Sequence, residues 1–526
     1  MSMRLKKILG CLLSLGMLLS PITICAEEDA GIVAYSMDPN DNRAFTSIID
    51  AWDAACDGTL IYLNKDWDLS SRLILYSGNN ATLDLNGHSI TRMLDDYESD
   101  GEVIYMNENS NLTLKGSTDR TFTVKNCKGL WNKGDKTADV SVGGVITGGM
   151  SSNGAGGIHM KANCTLNLDH VGVIGNETAA ELMPHGGGIK LDGDCCTVNI
   201  NNGSMVSYNS AGYGGGIYIA GEEGHVNVEA SEISHNYASS DGGGIYSNYD
   251  ATYIELKKDA MIKENKAGYN GGGVCFNNSY NHISSEDSTG KISSNFVAGY
   301  GNYAKGGGVY YADVKTKTNT ATLASITFEN NTAYKSVDYA LGGAVYCNLG
   351  NVEITNCTFR NNTALSGGAI FINDSGTILK DCTITNNDAN KGGGIYVDSR
   401  YDLKFSGKCV VKKNVNSNKE ASNVYLENGT FTRAYVSGTP STGSEVGLTG
   451  DGSCKVGINQ SENNGTFFVD QSGSYHLSYD DGKLYQKNGA TGSIFGCGNI
   501  VVVIGVIVCI ACNGFIVYRN KRKKMI

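Results

Sequence analysis

Proline is nearly absent from this chain, with 4 residues in 526, and charge is scarce, with 18% Asp, Glu, Lys and Arg. Glycine is abundant, at 69 residues, yet follows no G-X-Y period. That combination excludes collagen and argues against a disordered linker protein. No basic stripe with interleaved aromatics occurs either. The formal charge is −11, and eight positive charges (Arg4, Lys6, Lys7, Arg519, Lys521, Arg522, Lys523, Lys524) sit in 1–26 and 497–526, which hold no acid. The middle therefore carries about −19 and repels phosphate backbones, so nucleic acid is not expected as a partner. The 40% hydrophobic fraction suffices for a sizeable core but not for a polytopic membrane protein.

The first seven residues are basic, and the apolar run 8–19 is too short to span a bilayer, which predicts a signal peptide over 1–26. Ile24 before Cys25 argues against a lipoprotein. Residues 500–518 are long and apolar enough for one transmembrane helix, after a linker at 491–499. The basic run behind it predicts an extracellular N-terminal side and a cytoplasmic tail over 519–526. Thr439-Pro440-Ser441-Thr442-Gly443 lacks the leading Leu of a sortase signal and lies far upstream of the helix. Of the 16 cysteines, 11 fall in the predicted ectodomain, with no C-x-x-C pair, and most read as small buried apolar residues.

A Gly-Gly-(Gly/Ala)-(Ile/Val) cluster recurs, its aliphatic falling at Ile189, Ile217, Ile245, Val274, Val309, Val345, Ile370 and Ile395, at intervals of 25 to 36 residues. Interleaved with it, an apolar residue precedes an Asn by three positions at Asn209, Asn236, Asn265, Asn295, Asn331, Asn362 and Asn387, with Asn176 and Asn414 extending the column at its ends. Such a period means a solenoid. Between the glycines, stretches such as Ile217-Tyr218-Ile219 alternate with period two, and no amphipathic helix intervenes, which excludes leucine-rich and helical repeats. Short strands joined by Gly and Asn turns stack as an all-β parallel β-helix. The extra length at 298–304 and 333–339 should bulge as loops from one turn.

The β-helix is expected over 60–418. Ahead of it, Phe45, Ile48, Ile49, Trp52 and Cys56 keep helical spacing within 44–56, predicting a capping helix in an N-terminal cap over 27–59. Behind it, 419–490 loses the glycines but keeps strand patterns, as closing coils or a small β-domain.

Gly367-Gly368-Ala369-Ile370 together with Phe359-Arg360-Asn361-Asn362 resembles the GGAI and FxxN repeats of the chlamydial polymorphic outer-membrane proteins, within the right-handed, pectate-lyase-like β-helix superfamily. Asp84-Leu85-Asn86-Gly87-His88 is similar to an early coil of secreted bacterial β-helix proteins. The resemblance covers about 60–415 and implies a right-handed solenoid with a cell-surface, adhesin-like role. The chlamydial proteins end in a membrane β-barrel, whereas this chain ends in one apolar helix.

Relatives by fold include polysaccharide lyases and hydrolases, but the acidic motifs of a galacturonase are scattered here and G-H-G is missing. A calcium lyase needs clustered carboxylates beside an Arg or Lys base. Asp192 and Asp194 with Lys190 come nearest, and Arg360 lies on a predicted strand. No catalytic residue, metal or cofactor is assigned. Expectation centres on a non-catalytic surface protein that binds extracellular glycan or another host or cell-surface molecule; the alternative is a membrane-tethered polysaccharide lyase or glycoside hydrolase.

Three columns follow from the register. The Asn column should form a side-chain ladder, and Cys357, Cys382 and Cys409, each five residues before a column Asn, should stack as thiols inside. The position after each Gly-cluster aliphatic, held by Lys190, Tyr218, Tyr246, Cys275, Tyr310, Tyr346, Phe371 and Tyr396, should point outward. Its aromatic members are the candidate glycan-binding strip, through ring faces offered to solvent.

Overall fold

The computed structural model describes residues 31–488, apart from 39, 41–42, 126–136, 176–182, 279, 313–319, 335–337, 399–402, 428–432, 437–440, 451–454, 460–466, 471–474 and 481–482. The expected signal peptide, linker, membrane helix and tail, together with Asn176 of the Asn column, lie outside the described residues, among which no helix is long and apolar enough to cross a membrane.

The coil opening at Ile217 shows the repeating unit. Its strands are Ile217–Ile219, His225–Glu229, Glu232–Ser234 and Tyr237–Ala238. Each pairs in parallel with its counterpart one coil later: Ile217 with Ile245, His225 with Tyr253, Glu232 with Met261 and Tyr237 with Lys266. This is the parallel β-helix that the two sequence periods predict. Ile217, Ile219, Val226, Val228 and Ile233 point inward and join one core running the length of the solenoid. Each such side chain contributes roughly 1.5–3 kcal/mol on burial.

The glycine signature has a steric origin. The first glycine of a cluster adopts a left-handed backbone, as at Gly342 with φ +68°, and turns the chain sharply into the strand. The second lies against the next coil: a Cβ on Gly343 would stand 2.2 Å from the carbonyl oxygen of Gly368. The third tolerates Ala at 344 and 369.

The asparagines form a continuous buried ladder. The Asn265 side-chain oxygen accepts both the backbone and the amide N–H of Asn236, at 3.0 Å each. Its own amide donates to the Ile233 carbonyl at 2.9 Å and to Asn295 at 3.1 Å. The same bonds recur through Asn331, Asn362, Asn387, Asn414 and Asn423. Cys357, Cys382 and Cys409 are buried free thiols, each donating to a carbonyl of the preceding coil (Leu323, Ile354 and Leu379) at 3.2–3.6 Å.

At the N-terminal end, Ser47 caps a helix over Ile48–Cys56, its Oγ accepting the Asp50 N–H. The helix buries Ala51, Trp52, Ala54 and Ala55, and Trp52 Nε1 donates to the Ile74 carbonyl at 3.0 Å. It is shorter than its expected span: Ala44–Phe45 is a strand, and Ile49 lies exposed beside Asp53, because the phase is set by burying Trp52 and Ala55. Towards the C-terminus, Val424–Leu426 and Glu445–Gly450 still pair in parallel with earlier strands, and Tyr475–Asp480 and Lys483–Asn488 form an antiparallel hairpin.

Candidate functional site

The candidate column points away from the solenoid interior, but it does not face solvent. Tyr218, Tyr246, Tyr310, Tyr346, Phe371 and Tyr396 are only 3–9% exposed and, with Cys275 and Tyr425, make a second hydrophobic cluster. Two causes combine. Strict register stacks the rings on one another: Tyr310 on Tyr346 and Tyr346 on Phe371 at 5.3 Å, Phe371 on Tyr396 at 4.8 Å. Their faces are thereby used up. The left-handed glycine then folds the preceding residue over the ring edges, so Tyr213 covers Tyr246, Lys305 lies over Tyr346 and Lys391 over Tyr425. The expectation of solvent-facing ring platforms is corrected accordingly: these rings form a packed ladder.

Exposed tyrosines lie one turn away, in the two bulges that the sequence shows only as extra length. Residues 333–340 separate Thr332 from Leu341, whereas the following coil places only 364–365 between their partners, Thr363 and Ser366. The preceding coil bulges equally, with 297–304 between Phe296 and Lys305. The two bulges pair through Tyr303–Lys305 and Tyr339–Leu341 over a buried floor of small residues, among them Ala267, Ala304, Ala333 and Ala340. The result is a ridge two coils thick. It carries Tyr300, Tyr303, Tyr334 and Tyr339, with Tyr269 at its foot, all 38–50% exposed. Tyr303 and Tyr339 stack at 4.9 Å, and Tyr269 meets Tyr300 edge-on at 6.2 Å.

The N-terminal continuation of the outward column is mixed, and ion pairs gather around it. Register places Tyr105, His159 and Lys190 in line with Tyr218. His159 Nε2 meets Asp192 Oδ2 at 3.1 Å, Lys161 Nζ meets the same oxygen at 2.7 Å, and Lys190 Nζ lies 3.3 Å from Asp192 Oδ1. Burial alone would raise the Asp192 pKa, but hydrogen bonds from His159 and Lys161 and the charge of Lys190 hold it well below the usual carboxylate range. Glu102, fully buried, pairs with Arg72, whose guanidinium lies 4.4 Å from the Tyr105 ring centre.

Of the candidates for chemistry, Lys190 and Asp192 are thus brought together. Asp194 turns away to accept the Glu222 N–H, and Arg360 pairs with Glu329 at 2.9 Å on the surface. Glu102 and His159 escaped the sequence reading because their coils lack the complete glycine signature that fixes register. Among the described residues no cluster of His, Cys, Asp and Glu is arranged to hold a metal ion.

Against known proteins, residues 283–473 match the family model described as "Right handed beta helix region". No curated protein matches the chain. Among solved structures it is similar to the tailspike protein gp49 of the Acinetobacter baumannii bacteriophage Fri1, a capsular polysaccharide depolymerase, at 13% identity and a TM-score of 0.32. That match covers 78% of this chain and spans 64% of the tailspike chain. The parallel coils give the fold, a parallel β-helix, and the family match over 283–473 agrees with it.

Proposed function

We propose that this chain is a membrane-anchored cell-surface β-helix that binds extracellular glycan without cleaving it, with the tyrosine ridge as its contact surface. One observation carries the reading: five tyrosines, each 38–50% exposed, crowd onto three successive coils where the core has no use for them. Large exposed aromatic patches mark interaction surfaces, and tyrosine couples an apolar ring to a hydroxyl. Anchoring rests on the basic, apolar start at 1–26 and the apolar run 500–518 with its basic tail. The helix Ile48–Cys56 is assigned the closing of the first coil. Joint substitution of Tyr300, Tyr303 and Tyr339 by Ser should abolish binding of the full-length chain to a glycan array while its circular dichroism stays β-rich. Undiminished binding by the folded variant would exclude the ridge.

A second reading, a polysaccharide lyase or hydrolase, is favoured only by the His159, Lys161 and Asp192 cluster. Against a hydrolase, Asp192 is held ionised by its cationic neighbours and so lacks the proton a general acid must give. Unsaturated product released from uronic-acid polymers by the wild type, and lost in His159→Ala, would establish it.

A further inference from the structure

The ridge ends abruptly on its C-terminal side. Tyr339 stacks its ring on Tyr303 within 10° of parallel, so its other face turns towards the following coil. That coil has no bulge: the Ala340 carbonyl accepts the N–H groups of both Leu365 and Ser366, and the chain there runs straight from Thr363 to Ser366. The next coil is equally short, with 389–390 between Asp388 and Lys391. A step results. Its wall is the free face of Tyr339, 50% exposed, and its floor carries half-buried Leu365 and Ser366 with exposed Asn390.

The floor is polar but electrically balanced. Lys419 pairs with Asp388 at 2.5 Å, and Lys391 stands 3.9 Å from Glu427 with its ammonium over the Tyr425 ring. The Asn390 side-chain oxygen accepts the Ser417 hydroxyl, which leaves the Asn390 amide nitrogen to donate outward. A flat apolar wall meeting a neutral floor of amide and hydroxyl groups suits a ligand with one C–H face and a rim of hydroxyls. Among the described residues the two cations of the floor, Lys391 and Lys419, are both paired and offer little to an anionic sugar, and a greasy peptide would bury the amide unpaired.

Resting on the glycan-binding reading above, we propose that this step is a subsite for one uncharged pyranose residue, stacked on Tyr339 and hydrogen-bonded through Asn390 and Ser366. The full-length chain is tested by affinity electrophoresis against galactomannan, β-glucan and mannan, with pectate as the charged comparison. Wild type should be retarded by at least one neutral polymer and not by pectate. Tyr339→Ala and Asn390→Ala should each weaken that affinity about three- to tenfold, the range of one aromatic contact or one hydrogen bond. Tyr339→Phe should keep it, and Tyr76→Ala, at an exposed tyrosine on an early coil away from the ridge, should stay within about twofold. The substituted positions are all exposed, and equal melting temperatures confirm equal folding.

Retention in Tyr339→Ala and Asn390→Ala with loss in Tyr269→Ala, at the foot of the ridge, would overturn the step while leaving a glycan-binding ridge. Retardation by pectate alone would overturn the neutral-sugar assignment. Retardation by none of the four polymers would overturn the glycan-binding reading itself, and the step with it.

Discussion

Asn423 and Asp470 close the asparagine ladder: the Asn423 backbone N–H donates to one Asp470 carboxylate oxygen at 2.7 Å and its side-chain amide to the other at 2.6 Å. Every earlier rung places both donors on one amide oxygen of the next Asn, so the last rung needs only an acceptor. Burial pushes the Asp470 carboxyl up, against these hydrogen bonds and one from Thr449. Asp470→Asn should therefore be nearly neutral for stability, since one amide oxygen suffices elsewhere in the ladder. Asp470→Ala should cost about 1–3 kcal/mol, as should Asn265→Ala in the middle, by leaving buried donors unpaired. Chemical denaturation of the three variants checks the order. An Asp470→Ala midpoint equal to wild type would remove the residue from the ladder.

The residue before each ladder Asn from Asn209 to Asn414 sits in left-handed backbone: φ is 59° at Tyr208, 55° at Glu264, 58° at Asn361 and 60° at Lys413. Only Gly, and to a lesser degree Asn, adopts that conformation without appreciable strain. Lys413 is exposed and forms no ion pair among the described residues. Lys413→Asn or Lys413→Gly should then raise stability by about 0.5–1 kcal/mol. A fall in melting temperature for both would show that Lys413 makes a contact worth more than the strain.

How much of this was legible in the sequence depended on whether a feature repeats at the spacing of the coils. The glycine cluster and the Asn column do, because the second glycine and the Asn each touch their equivalents one coil away; Gly343 against Gly368 shows why the position cannot vary. The ring ladder was legible as a column, but its burial was not. Whether Tyr246 is open depends on where Tyr213, a coil earlier, lies after the left-handed turn at Gly214. Glu102 and His159 are 57 residues apart in the sequence and neighbours only because a hairpin, Arg120–Lys125 with Thr137–Val142, is extruded between their coils. The tyrosine ridge showed only as irregular length, since bulges by nature break the period.

Asp241 sets a pH dependence of definite sign. Burial pushes its carboxyl up to about 6, against hydrogen bonds from Asn270 and the charge of Lys305. A carboxyl whose folded pKa exceeds its unfolded value adds stability that is fully present below the ordinary carboxyl value of 3.8 and is lost as pH rises through about 6. The loss is at most about 3 kcal/mol at 1.36 kcal/mol per unit. Asp241→Asn keeps an acceptor for the Asn270 amide, so the variant should gain stability relative to wild type between pH 4 and 7. Parallel melting curves for the two proteins across that interval would dismiss the assignment.

The buried ring ladder yields the sharpest contrast with the sequence reading. If Tyr218, Tyr246 and Tyr310 were open platforms, replacing all three by Ser would leave the fold intact and remove only binding. Each is at most 9% exposed and is packed by rings, glycine backbone or the folded-over residue. Emptying such a site costs up to about 3–5 kcal/mol for a large aromatic, and three losses together rival the 5–15 kcal/mol that holds a typical domain. In a solenoid the damage is local, because each coil leans only on its neighbours. The triple variant should therefore open at the coils of 210–312, seen as protease cleavage there and a lowered first melting transition, with the coils beyond 345 still protected. A triple variant that melts and resists protease like wild type yet binds no glycan would return the contact surface to the column.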